Sequence, residues 1–167
     1  MKGAFVLSGR CPESCQRDTG PFGGSIYNYK RRKTMVSQEE LEKVREIFRG
    51  DRYATETGAV IDEIGDHYSK CSLVINEHHK NAMGGVMGGV YFTLADFAFA
   101  VASNWQQPGV VGLNVDASFI GVPKTERIIA EAKLVKDGRT ICCYNVDIKD
   151  ELGNPIAAVQ CVGFRKA

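Results

Sequence analysis

From Ser37 onward the apolar and polar residues recur at regular periods; before it they do not. Ser37-Gln38-Glu39-Glu40 is a capping-box signature, in which the first hydroxyl takes the amide three residues on. Leu41, Val44, Ile47 and Phe48 then repeat at helical spacing, and Gly50 supplies a stop. Thr55–Ile64 and His67–Ile75 read as strands joined by a Gly65-Asp66 turn. Asn76–Met87 is a loop, polar at first and then glycine-rich. Gly88–Trp105 reads as a long helix, apolar on nearly all sides but too short and too interrupted to span a bilayer. Four strands follow, at Val110–Ile120, Glu126–Val135, Arg139–Ile148 and Ile156–Phe164. Gly121-Val122-Pro123, Asp137-Gly138 and Gly153-Asn154-Pro155 mark the turns between them.

Turns this short join antiparallel neighbours, so the pattern predicts an α+β fold and not α/β. A helix apolar on nearly all sides must be covered on nearly all sides. The expected arrangement is therefore a long central helix wrapped by a five- or six-stranded antiparallel sheet. A chain of 167 residues with 44% apolar content suits one domain with one core. Residues 1–34 carry neither period, being Gly-rich around Gly20–Gly24 and basic at Lys30-Arg31-Arg32-Lys33. They read either as a leader upstream of a start at Met35, with Arg31-Arg32 encoded by a ribosome-binding AGGAGG, or as a disordered basic tail. The domain then spans residues 35–167.

Lysine plus arginine is 21 against 20 acidic residues, so the overall charge does not imply a polyanion-binding protein and no nucleic-acid partner is expected, while a small basic cluster on a ligand's phosphates stays open. Met1–Leu7 is too short for a secretory core, so a cytoplasmic setting with reduced thiols is expected for the six cysteines. Cys11 and Cys15 lack a second pair, and the His78-His79 pair lacks an acidic partner at ligand spacing. No metal and no cofactor is expected. Cys71, Cys142 and Cys143 fall in strands, where packing is their expected role.

One residue breaks the long apolar run. Asp96 is the sole ionisable carboxylate or base between Gly88 and Ala102. A lone buried carboxylate is expensive unless it is paired or hydrogen-bonded. No lysine or arginine lies within a turn of it, although Thr93 shares its face. Asp96 is thus a candidate acid, base or nucleophile tuned by its surroundings, the plain alternative being that it faces solvent. Just upstream, Gly84-Gly85 and Gly88-Gly89 flank a helix start whose free amides carry partial positive charge and suit an acyl-transfer oxyanion. Gly88 and Asp96 are separated by roughly 12 Å of helix, too far to meet one carbonyl. If both act, they come from two chains of a homodimer with shared sites.

The stretch Asn81-x-x-Gly84-x-x-Met87-Gly88-Gly89-x-x-Phe92-x-Leu94-Ala95-Asp96 closely resembles the signature of PaaI-like hotdog thioesterases. So do His79-x-Asn81, Leu113-x-Val115, Ser118-Phe119-Ile120 before Pro123, Ile129-Ala130-Glu131-Ala132 and Gly138-Arg139-Thr140. The similarity covers about residues 36–166. It implies a hotdog fold, dimers that often pair into tetramers, and metal-free hydrolysis of acyl-CoA. It makes Asp96 the nucleophile or general base. The Gly89 amide would polarise the carbonyl and Asn81 would place the carbonyl or the water, both from the partner chain. Gly88, Met87, Thr93 and Arg139 are the candidates for substrate contact, the last through coenzyme A phosphates, although a solvated hairpin tip explains Arg139 equally well. Met87 stands where the family commonly has histidine, and it can neither donate a hydrogen bond nor shuttle a proton. Tyr91, Phe92 and Phe99 are either acyl-pocket or core residues, and Trp105 a core or dimer contact. Two other functions compete: a non-catalytic acyl-CoA sensor, and a hotdog dehydratase, which would need a histidine that the helix entry lacks.

Overall fold

The computed structural model describes residues 36–166, so the expectations for residues 1–34 fall outside it. Helix α1 (Gln38–Phe48) opens as read: the Ser37 hydroxyl accepts from the Glu40 amide. After a one-turn helix α2 (Arg52–Glu56) come strands β1 (Val60–Gly65) and β2 (Tyr68–Val74), and then a 3-10 turn at Glu77–His79. The long helix α3 (Gly88–Asn104) leads into β3 (Val110–Phe119), β4 (Arg127–Asp137), β5 (Ile141–Asp150) and β6 (Pro155–Arg165). All six strands pair antiparallel in one sheet, in the order β1-β2-β4-β5-β6-β3. This is the expected α+β hotdog architecture, with six strands.

The sheet curls around α3. Leu94, Ala95, Ala98 and Val101 of the helix are fully buried. They share one core with the inward-facing Leu73, Ile128, Ala130, Tyr144, Val146, Ile148 and Cys161 of the strands. Each fully buried Leu, Ile or Val contributes about 1.5–3 kcal/mol. Strand β5 alternates buried and less buried positions along nearly its whole length, as a sheet with one covered face requires. Cys71 and Cys142 are buried free thiols that pack, as expected, whereas Cys143 is half-buried; Cys161 is buried as well, and Trp105 packs on the core while donating its indole N–H to the Gly65 carbonyl.

The two sheet edges differ. At the β1 edge, the Arg45 guanidinium of α1 donates from Nε (2.8 Å) and Nη2 (2.6 Å) to the Ile61 carbonyl, beside a bulge between Ile61 and Glu63. This blunts an edge that could otherwise recruit a foreign strand. The β3 edge has no strand beyond it among the described residues, and Leu113 and Phe119 are exposed there.

Three expectations are corrected. Thr55–Ile64 is not one strand: Ala54 and Thr55 donate back to the Asp51 carbonyl, so a helix runs to Glu56, and Gly58 at φ +102° turns the chain before β1 starts. The β1–β2 turn lies one residue later than read, because Gly65 pairs with Tyr68 and His67 takes the left-handed φ of +50°. Finally, β3 and β4 are not neighbours across the Gly121-Val122-Pro123 turn: β3 pairs with β6, and β4 with β2 and β5. The cover of α3 is nearly complete, as expected, with one side left open. Phe92 and Asp96 are exposed and Thr93 and Ala100 half-buried, forming one open stripe along the helix. The six-stranded sheet stays open, with β1 and β3 at its edges, so one stripe of the helix is left over.

Candidate functional site

The loop before α3 is built by its own polar groups. Asn81 folds it: the Oδ1 accepts from the Met83 (2.9 Å) and Gly85 (3.1 Å) amides, and the Asn81 amide donates to the Gly85 carbonyl. Gly84, at φ +80°, makes the reversal possible. His79 anchors the loop from beneath. It is buried, its Nδ1 accepts from the Asn76 amide (2.9 Å), and its Nε2 reaches the Thr57 carbonyl (2.8 Å). Both ring nitrogens are therefore occupied by the scaffold, which suits neither a metal ligand nor a proton shuttle.

Met87 occupies the N-cap position of α3, with its side chain 49% exposed and no capping bond from it. Its amide donates to the His79 carbonyl and its carbonyl accepts from Val90. Gly88 and Gly89 form the first turn, where amides have no partner within the helix. A Cβ on Gly88 would lie 2.9 Å from the Phe119 ring, so this glycine lets the end of β3 approach the helix start. The Gly-Gly pair thus serves packing at Gly88 as well as leaving backbone free.

Asp96 stands two turns further along the helix. The expectation of a carboxylate enclosed by the core is corrected: it lies on the open stripe and looks into a groove of about 480 Å³ between α2 and α3. Asp51, Arg52, Tyr53 and Ala54 form one wall; Phe92, Thr93 and Ala100 belong to the other. No hydrogen bond holds Asp96 among the described residues, Thr93 included. Burial by the groove walls, and then the negative charge of Asp51, push its carboxyl above the usual range. Asp51 itself is raised by burial. Beneath the groove, the Cys161 thiol is pushed up to about 12 by burial and by the charge of Asp96. It remains a thiol at neutral pH and is no nucleophile.

The predicted residues therefore fall into three places within one chain. Asn81, Met87, Gly88 and Gly89 gather at the start of α3; Thr93 and Asp96 share the groove. Arg139 belongs to a different cavity, of about 610 Å³, beyond the other end of α3, with Asp66, His67, Ser103 and Arg165. Of the candidate aromatics, Phe92 lines the groove, whereas Tyr91 and Phe99 are core residues. Asp51 and Tyr53 were not foreseen. The available signal was Asp51 directly after the Gly50 stop, where an aspartate can open a new helix.

The thioesterase superfamily model matches residues 83–157, a span that holds the Gly-Gly helix start, all of α3 and most of the sheet. The chain is similar to the PaaI-like hotdog thioesterases in sequence and in fold. The PaaI protein of the E. coli phenylacetic acid degradation operon superposes with a TM-score of 0.72 at 20% identity, over 79% of this chain and 96% of its own. A mutant of the phenylacetic acid degradation protein PaaI of Thermus thermophilus is 26% identical with a TM-score of 0.65, over 70% of this chain and 100% of its own. Human acyl-coenzyme A thioesterase 13 is 28% identical over 91 residues, which is 53% of this chain and 65% of that protein.

The chain is accordingly a thioester hydrolase. For such an enzyme a single carboxylate suffices in principle, because the leaving group is a thiolate whose conjugate thiol has a pKa of about 8.5, as for free cysteine. It departs without a proton donor, which fits a helix start that offers Met87 and no imidazole. No described helix of the enzyme is long and apolar enough to cross a membrane.

Proposed function

We propose that the enzyme hydrolyses acyl-coenzyme A thioesters as a homodimer, with Asp96 as its catalytic carboxylate. The observation that carries this reading is that Asp96, the sole carboxylate or base of α3, stands on the one stripe of that helix left open. Its carboxylate either activates a water that adds to the thioester carbon or attacks that carbon itself to form an acyl anhydride, which water then hydrolyses to the free acid and the regenerated carboxylate. In both routes the carbonyl oxygen becomes an oxyanion, the C–S bond breaks, and coenzyme A leaves as thiolate. The Gly89 amide, with Gly88 beside it, stabilises the oxyanion. The Nδ2 group of Asn81 has no hydrogen-bond partner among the described residues and is free to hold the carbonyl or the water. Met87 and Thr93 contact the thioester region.

The dimer follows from distance. The helix-start amides and Asp96 are roughly 12 Å apart along α3, so one reacting carbonyl needs them from different chains. The unpaired β3 edge supports this. Its Phe119 end lies against Gly88, and its Gly112 faces Phe99, three residues after Asp96. Two such edges paired antiparallel would bring one chain's helix start toward the other chain's Asp96. Arg139 has no ion pair among the described residues and would meet coenzyme A phosphates from its cavity. A pair of dimers and a cytoplasmic setting complete the reading, the latter because buried free thiols suit a reducing compartment.

Thiol release from a panel of acyl-CoA thioesters tests the reaction. Mixed dimers test the sharing. Gly89→Pro removes one amide proton within the first helical turn, where proline is tolerated. Mixing it with Asp96→Asn should restore activity well above either parent, because one of the two sites is then intact. No restoration on mixing, with mixed dimers verified, would refute shared sites. Single turnover in ¹⁸O water separates the two routes: label in the Asp96 carboxyl marks the anhydride.

A further inference from the structure

The groove beside Asp96 has a second wall, and its composition bears on which acyl groups the enzyme accepts. Helix α2 is short but firmly tied. Ala54 is buried, the Thr55 hydroxyl donates to the Asp51 carbonyl (3.2 Å), and the Ala59 amide donates to the Ala54 carbonyl (3.0 Å). On this tied turn Tyr53 is left 80% exposed, and across from it Phe92 is 40% exposed. Two large aromatics left open on either side of one groove mark a surface awaiting a ligand. Between them, Ala54 and Ala100 are the small residues that keep the slot open, and Phe97 closes its floor.

Chemistry decides what enters. This step rests on the proposed role of Asp96: if its carboxylate, or a water it holds, reaches the thioester carbon, the acyl chain attached to that carbon must begin at Asp96. The space that continues from there is the α2–α3 groove. From Asp96 to Ala100 it runs roughly 6 Å along the helix, the reach of a short-to-medium apolar chain. We propose that Tyr53 and Ala100 are specificity-determining residues: an apolar acyl group of several carbons lies along α3 past Ala100, with the Tyr53 ring folded over its far end. Beyond the polar patch of Asp51, Thr93 and Asp96, the lining is Tyr53, Ala54, Phe92, Phe97 and Ala100, together with Arg52, whose guanidinium is already paired with Glu56 (2.6 Å). Apart from that engaged arginine, a charged or strongly polar acyl group finds no partner in that outer part.

The test is a chain-length series, from acetyl to dodecanoyl, in two forms. One is kcat/KM for the acyl-CoA thioesters. The other is the Kd of the matching S-alkyl-CoA thioethers, which bind without being cleaved. Each methylene buried in the slot should raise kcat/KM and tighten Kd about fourfold. Ala100→Leu should end that rise early, because its side chain fills the slot just past Asp96. Tyr53→Ala should flatten the slope at the long end, mainly through KM, with a loss that grows with chain length. Tyr53→Phe should restore it, since the ring and not the hydroxyl does the covering.

Variants that shift every chain length by one common factor would overturn the inference, and so would variants that leave both profiles as in the wild type. A weakened dimer in either variant by sedimentation, with an unchanged thioether profile, would also overturn it, assigning the groove to a subunit contact. The two readings fail separately. A wild type that cleaves no thioester, yet binds thioethers with a slope that Tyr53→Ala abolishes, refutes the hydrolysis proposed above and keeps the groove assignment.

Discussion

Asp96 and Asp150 are both aspartates of the folded core region, and their surroundings are opposite. Asp150 is buried at the end of β5, and every nearby donor is aimed at it. Its two carboxylate oxygens accept from the amides of Lys124 (3.0 Å), Leu152 (3.0 Å) and Asn154 (2.9 Å), and from the Asn154 side chain. Burial alone would raise its pKa, but these hydrogen bonds outweigh burial and hold it below the usual range. Asp96 is the more open of the two and has no such donors, so partial burial, and then the negative charge of Asp51, move its pKa up. Burial by itself therefore says little about whether a carboxylate is structural. What separates the two is donors: a carboxylate enclosed by amides stabilises a turn, while one given no partner keeps its lone pairs for a substrate or a water.

The sharpest way to break this contrast is to neutralise Asp96. Asp96→Asn should lower kcat by 10²-fold or more, the scale of losing a general base or nucleophile, in a thiol-release assay. The same variant should melt no lower than wild type at neutral pH. A carboxyl whose folded pKa is raised favours folding when protonated, and that contribution is lost as pH rises through the folded value. Removing the charge should thus help above that value, and the gain should vanish below the ordinary carboxylate range. Melting curves against pH for both forms check the sign.

Asp150→Ala should do the reverse. It leaves the Lys124, Leu152 and Asn154 amides without their acceptor and should lower Tm by several degrees, with little change in kcat per folded site. Because its folded pKa is depressed, the stability it contributes is present above the unfolded value and lost as pH falls through the folded one. The Tm deficit of Asp150→Ala should therefore shrink in acid. A deficit that stays constant down to strongly acid pH would place Asp150 among ordinary surface carboxylates.

Two smaller effects refine the comparison. Asp51→Asn removes the neighbouring charge that helps hold the Asp96 pKa up, so the acid limb of the kcat profile should move to lower pH with its plateau within a few-fold of wild type. An unmoved limb would leave burial as the whole cause. Met87→His should be tolerated and raise the rate modestly, because thiolate departure does not wait for a proton; a large loss would show that the exposed methionine has a packing role at the helix start.

The secondary structure was readable from the chain because its signals are local. Ser37 caps α1 through a bond to a residue three places on, and the strands β3 to β6 declare themselves by alternation and by turn residues at their ends. The unusual position of Asp96 was legible for the same reason: a lone charge in an apolar run is visible without coordinates. Boundaries that rest on competing local choices were harder. Around Thr55 a strand-forming residue lies inside a helical turn because the Asp51 carbonyl receives two amides, and the β1–β2 turn slipped by one residue because His67 accepts a left-handed backbone.

What the sequence by itself determined is most of the elements, the antiparallel character of the sheet and the one carboxylate available on the long helix, since each follows from spacings of two to four residues. What only the tertiary structure decided is where that carboxylate looks. The groove needs α2, some forty positions earlier in the chain, to lie against α3, and the calm of Asp150 needs the Lys124 amide twenty-six residues away. The sheet covers as much of α3 as its curl allows and leaves one stripe bare. Such outcomes depend on how far a twisted sheet can wrap a helix and on which distant backbone groups arrive beside it, and no window of neighbouring residues carries that information.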